Sequence, residues 1–206
     1  MPQGGNHGNP HWTLPVHVLT MTVAPDPLLT LAEAKAHLEY VDSDRDSYIT
    51  ALIAAVTEMI DGPEGMLGKA VGEQIWTYAL RYVPTGIINI PLVPVKALRS
   101  VAYFDADNAE QEINVNQFRL VANEDFAYLE PVEGFTWPVL YDRGDAVTFE
   151  LQLGMAEVPA GIKHAALLML SNWFENREAV SDKAMMPVPF AVDTLLNRWR
   201  IGWLGA

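Results

Sequence analysis

Four carboxylates, Glu130, Glu133, Asp142 and Asp145, flank the Trp137-Pro138 loop. Acidic pairs whose environments split their pKa values are what a glycoside hydrolase uses as acid and base. On a chain with 26 acidic residues, however, neighbouring carboxylates arise from composition alone. A solvated acidic loop is the better reading of these four. Asp42-x-Asp44-x-Asp46 opens like a calcium loop, but Ser47 and Ile53 occupy the places of its required Gly and Glu. Helix capping accounts for the aspartates. The stretch Gly62–Lys69 brushes against a phosphate loop, yet Pro63 and Ala70 stand where that motif needs Gly and Ser or Thr. It reads as a turn. His7, His11, His17, His37 and His164 share no metal-binding spacing, and no G-x-S-x-G elbow is present. No catalytic, cofactor-binding or metal-binding set is assigned.

The residues that stand out are those suited to binding. Trp199, Ile201, Trp203 and Leu204, with Arg200 among them, put large apolar groups after the last periodic segment. Aromatic anchors of this kind fill interface centres. They are the candidate partner-contact residues, against the plainer reading of a tail folded back on its own core.

Composition narrows the partners. Thirteen basic residues face 26 acidic ones, giving a formal charge of −13. Gripping nucleic acid requires clustered Lys and Arg, and none is present; DNA that slides past without adhering remains compatible. No apolar run reaches the roughly 18 residues needed to span a membrane. Residues 1–28 offer no basic start followed by an apolar stretch. The absence of cysteine removes disulfides and thiolate metal sites and fits a reducing compartment.

The elements that would position these residues follow from periodicity. Residues 1–29 have no sustained period and read as a flexible arm, with Met21 a plausible alternative start. Thr30-Leu-Ala-Glu33 is a capping box that opens a helix. Ile49, Leu52, Ile53, Val56, Met59 and Ile60 then repeat at helical spacing until Gly62-Pro63, so 30–61 predicts a helical hairpin. From Gln74 the period becomes two, and five further short strands up to Leu153 predict a small antiparallel sheet over about 74–153. Val158–Val180 is a long helix with Ile162, Ala165, Ala166, Met169, Leu170, Trp173 and Phe174 on one face. Lys183–Pro189 is a loop, and Val192, Leu195, Leu196 and Trp199 mark a last amphipathic helix. The expectation is a mostly α chain: a core of about four helices over 30–61 and 159–199, a β insertion, and an apolar tail at 200–206.

In that order the segments LTLAEAKAHL, DSYITALIAAVTEMID, QIWTYALRY, INIPLVPVKALRSVAYFDADN, VPAGIKHAALLMLSNWFENREAV and VDTLLNRWR resemble the head–tail connector (head-completion adaptor) family of long-tailed bacteriophages and gene transfer agents. The resemblance runs from about Leu29 to Arg200. It implies a non-enzymatic neck protein of the virion, assembled in the host cytoplasm, with a helical core and a β insertion. It also implies a ring of about twelve copies on the portal protein, extending the channel for double-stranded DNA and docking a stopper, tail-terminator or tail component. The C-terminal segment is the expected portal contact. The alternatives are a small carboxylate-dependent hydrolase and a non-viral cytoplasmic interaction module.

Overall fold

The computed structural model describes residues 17–176 and 190–200. The chain builds two hydrophobic cores side by side, one from helices and one from strands.

The helical core begins at α1 (Leu31–His37), where Thr30 Oγ1 accepts from Glu33 N and Glu33 Oε2 accepts from Thr30 N, closing the expected capping box. Helix α2 (Asp46–Ile60) follows. Arg45 stands at its N-cap without a side-chain hydrogen bond, so the aspartate cluster does not cap α2 by its side chains as expected. Asp46 instead sits in the first turn, where a negative charge suits the helix dipole, and binds Lys35 Nζ at 2.6 Å. Helix α3 (Ala160–Glu175) buries Ile162, Ala165, Ala166, Met169 and Leu170 in the face the spacing predicted, and α4 (Phe190–Asn197) adds Val192 and Leu196. The four helices share one cluster with Leu28, Leu29, Leu67, Val71 and Met155.

The strands are β1 (His17–Val23), β2 (Gln74–Leu80), β3 (Ile88–Ile90), β4 (Val95–Phe104), β5 (Glu110–Ile113), β6 (Phe118–Ala122), β7 (Ala127–Pro131) and β8 (Val147–Leu153). They form a five-stranded sheet in the order β1-β2-β8-β4-β5 and a three-stranded sheet in the order β3-β7-β6, every pairing antiparallel. The two sheets share a second cluster, centred on Tyr78, Phe118, Leu129, Phe149 and Leu151. Phe118 meets Phe135 at 5.1 Å, Trp137 at 5.5 Å and Phe149 at 6.0 Å between ring centroids, so the strand core is dense in aromatic contacts.

Two expectations are corrected here. The fold is mixed α+β, not mostly α around a helical bundle: among the described residues eight strands in two antiparallel sheets stand beside four helices. The reason is that the second sheet covers the apolar face of the first, so the β region needs no helical cover. Residues 17–23, expected within a flexible arm, are instead the edge strand β1, with Leu19 opposite Tyr78 and Met21 opposite Trp76. Asp26 N then donates to Glu73 O at 3.0 Å, and Leu28 and Leu29 are buried. Met21, weighed as a start, lies inside that strand. Residues 1–16, the loop Lys183–Pro189 and the tail beyond Arg200 lie outside the described residues. So does the end of the long helix: α3 stops at Glu175, where Asn176 N donates to Asn172 O at 3.1 Å.

The two cores are joined around Asp61. Its carboxylate, buried just past α2, accepts from Val71 N at 2.8 Å, Gly72 N at 2.7 Å and Gln74 Nε2 at 2.8 Å, which ties α2 to the start of β2. Burial pushes its pKa up, against the pull of these donors. The backbone passes too closely here for a side chain. A Cβ on Gly72 would lie 2.3 Å from Asp26 O.

Candidate functional site

The four loop carboxylates do not converge. Asp142 pairs with Arg81 at 2.8 Å, Asp145 with Arg143 at 2.6 Å, and Glu130 with Arg119 across β6 and β7. Glu133 is exposed in the turn after β7. The Arg143 guanidinium holds the Asp145 carboxyl below its ordinary value, the opposite of what a general acid requires. Trp137, at the centre of the imagined sugar site, is packed in the aromatic core between Phe118 and Phe135.

The other motifs are likewise taken up by structure. Lys69, at the end of the phosphate-loop-like stretch, is 3% exposed, and its ammonium reaches Asp125 and the Glu124 carbonyl at 3.2 Å. It holds the β6–β7 turn against the turn that follows α2. Asp44 accepts from the Tyr40 hydroxyl, and Asp46 pairs with Lys35. Sequence spacing left the histidines unconnected, but α1 and α3 bring the rings of His37 and His164 to 6.5 Å. Among the described residues no three His, Cys, Asp or Glu side chains form a group able to hold a metal ion. No described helix is long and apolar enough to cross a membrane.

Lys163 binds Glu33 at 2.8 Å, so the capping-box glutamate also ties α1 to α3. This hydrogen bond, reinforced by those from Thr30, lowers the Glu33 pKa to about 2.

Of the candidate partner-contact residues, Trp199 and Arg200 are described, and both are engaged within the domain. Trp199 packs on the helical core, close to Gly161 at the start of α3. Arg200 Nε donates to Met66 O at 3.1 Å and its Nη2 to Asp193 at 2.5 Å. Ile201, Trp203 and Leu204 lie outside the described residues.

The surfaces able to bind are elsewhere, and they are apolar. Among the described residues strand β1 is an edge of the five-stranded sheet, and its Val18, Met21 and Val23 are 47–49% exposed. Beside it runs an open groove of 740 Å³. One wall is the segment after β1 with Ala24, Pro25 and Pro27, and the other is α2 with Ala54, Ala55, Glu58 and Met59. Trp76 and Trp173 line it, and the turn Gly62–Gly65 closes one end. The groove draws on four segments distant in sequence, which is why spacing did not reveal it. The only sequence sign was Met59, a member of the apolar helical repeat that is 39% exposed.

No protein-family model and no curated protein matches the chain. Solved structures do share its fold. A chain in the neck of an empty gene transfer agent particle, computed with C6 symmetry, matches with a TM-score of 0.65 and 23% identity, covering 89% of this chain and 95% of that one. A chain of a native gene transfer agent virion matches at 0.62 and 23% identity, over 88% and 94% of the two chains. A third, from the neck of the native particle computed with C12 symmetry, matches at 0.56 and 20% identity over 87% and 95%. At these identities the likeness is one of fold. It comes from particles of the group that the sequence resemblance named.

Proposed function

We propose that this chain is a non-enzymatic structural adaptor of a phage-like neck. It forms a ring on the portal protein, extends the DNA channel, and presents a face to a stopper, tail-terminator or tail component. The observation that carries the reading is a fold shared with chains of gene transfer agent necks over up to 89% of this chain. The sixfold and twelvefold symmetries of those necks support a ring of about twelve subunits.

Physical chemistry supports the assignment at three points. An exposed sheet edge and an apolar groove are surfaces that a monomer gains by covering. A formal charge of −13 per subunit, multiplied around a ring, repels phosphate and lets double-stranded DNA pass without adhering. The paired carboxylates, each held by its own arginine, favour no hydrolase. The proposed portal contact is Trp199, Arg200, Ile201, Trp203 and Leu204, the first two of which also bind their own domain.

Native mass spectrometry of the chain, alone and mixed with its cognate portal, tests the proposal. A complex carrying about a dozen copies per portal is expected. A chain that ignores the portal overturns the reading. Deleting residues 201–206 should abolish attachment while leaving the far-ultraviolet dichroism unchanged; undiminished attachment removes the tail from the interface.

A further inference from the structure

On the ring reading, on which this rests, we infer that neighbouring copies meet head to tail. The β2–β3 loop of one copy seats Tyr82 and Ile87 in the groove of the next, between α2 and the segment after β1.

Strand β2 has an apolar surface at each end. At its start, Trp76 lines the groove together with Met59, Ala24 and Pro25. Past its end, the loop leaves Tyr82 61% and Ile87 48% exposed. The seven residues of β2 set the two surfaces about 20 Å apart. Strand β3 then pairs with β7 in the second sheet, which holds the loop away from the groove of its own copy. Two different patches on one subunit make a heterologous contact, and such a contact repeats by rotation and can close as a ring.

Charge selects this occupant. On a chain of formal charge −13, the stretch Arg81–Ile90 has no acidic residue and one basic residue, Arg81. The groove is the reverse: Glu58, Asp61 and Glu64 line it, and no Lys, Arg or His does. Arg81 lies 5.3 Å from the Tyr82 ring and pairs with Asp142 at 2.8 Å, so the loop brings no net negative charge to the rim. Among other exposed apolar side chains, Val41 and Phe126 each adjoin an aspartate, which Glu58 and Glu64 repel. A groove of 740 Å³ is in the size range that encloses drug-sized groups, and a seated aromatic is a common interface anchor. The contact covers both apolar surfaces of every copy in a closed ring.

The chain has no cysteine, so an engineered pair reports without background. Met59→Cys with Ile87→Cys in one chain, assembled on the cognate portal and mildly oxidised, should give a ladder of disulfide-linked oligomers on a denaturing gel. The ladder should form about tenfold faster than with Met59→Cys and Val139→Cys, which places the second cysteine on another exposed loop. The two substitutions on separate, mixed chains should stop at dimers, since each copy then has one link to make. Adding Tyr82→Ala, an exposed position, should return the rate to that of the control. If native mass spectrometry finds the ring but the pair crosslinks no faster than the control, this contact is overturned and the ring reading stands. A rate indifferent to Tyr82→Ala overturns the seating of the loop. Disulfides confined within single copies, or dimers from Met59→Cys alone, overturn it in favour of a loop reaching its own groove or of two grooves face to face. A chain that forms no ring on the portal overturns both readings.

Discussion

The strand core and the helical core reach stability by different routes. Between the two sheets, Phe118, Phe135, Trp137 and Phe149 fill the interior with interlocking rings, and Leu129, Phe149 and Leu151 are fully buried. Between the helices, Ala34, Ala165 and Ala166 let the axes approach, and the interior is aliphatic. Its large rings, Trp173, Phe174 and Trp199, sit half-buried at the margins. The strand core is the more tightly filled, and it opens into a smaller pocket of 370 Å³ between the end of β2 and β3. The helical core opens at one edge into a groove, and that edge also carries the anchor of the tail. The division teaches that a tightly filled aromatic core suits a rigid frame, while a core with open margins leaves surface for assembly.

Substitutions can break or sharpen this contrast. The largest loss is expected from Phe149→Ala, about 4 kcal/mol, because no neighbouring ring can collapse into the space without leaving its own contacts. Leu170→Ala in α3 should cost about 3 kcal/mol, less because the helical margin can relax. Urea unfolding followed by dichroism and by tryptophan fluorescence measures both; a larger loss for Leu170→Ala would reverse the contrast. Asp61→Ala leaves the Val71 and Gly72 N–H groups without an acceptor, while Gln74 Nε2 keeps the Gly72 carbonyl, and should cost about 2 kcal/mol. Because Asp61 joins the cores, its loss is also expected to split the unfolding curve into two transitions. A single transition would assign their coupling to the remaining backbone links, such as Met155 N to Val71 O at 2.9 Å.

The smallest effect belongs to the pair that ties α1 to α3. The Glu33 pKa is lowered from 4.5 to about 2 in the folded chain, so the pair's stabilisation is present above pH 4.5 and fades as pH falls toward 2. The two side chains are each 39% exposed, and the gain after solvent screening is under about 1 kcal/mol. Glu33→Gln should therefore lower the melting temperature slightly at pH 7 and leave it almost unchanged near pH 2. A constant difference across that range would trace the effect to the cap alone.

What the sequence disclosed was local. The capping box at Thr30 and Glu33, the α2 and α3 faces, and the alternation of Val147, Phe149, Leu151 and Leu153 are patterns a single element imposes on itself. The hairpin turn at Asp105–Asn108 was equally plain, with Asn108 N bonded to Asp105 O at 2.8 Å. Strand β1 escaped notice although Leu19, Met21 and Val23 alternate with Thr20 and Thr22, because the run is short and follows a stretch rich in Gly, Asn, Pro and His. The second sheet was missed because β3, β6 and β7 are too short to announce which partner they choose. The surfaces were harder still. Trp199 and Arg200 read as candidate partner contacts, since nothing in their spacing encodes Gly161 or the Met66 carbonyl as neighbours. The groove exists only once four segments have been brought together.

The order of the five-stranded sheet has a consequence for how the protein is made. Its middle strand, β8, is the last of the eight to leave the ribosome, yet β2 and β4 both pair with it. Until Val147–Leu153 emerges, the β1–β2 and β4–β5 pairs exist as separate halves, each with an unsatisfied edge and an uncovered apolar face. At about 5–20 residues per second, synthesis from Leu80 to Val147 takes roughly 3–13 s. Aggregation competes with folding in that interval, so the sharpest demand on the β8 sequence comes during translation, before any particle is assembled.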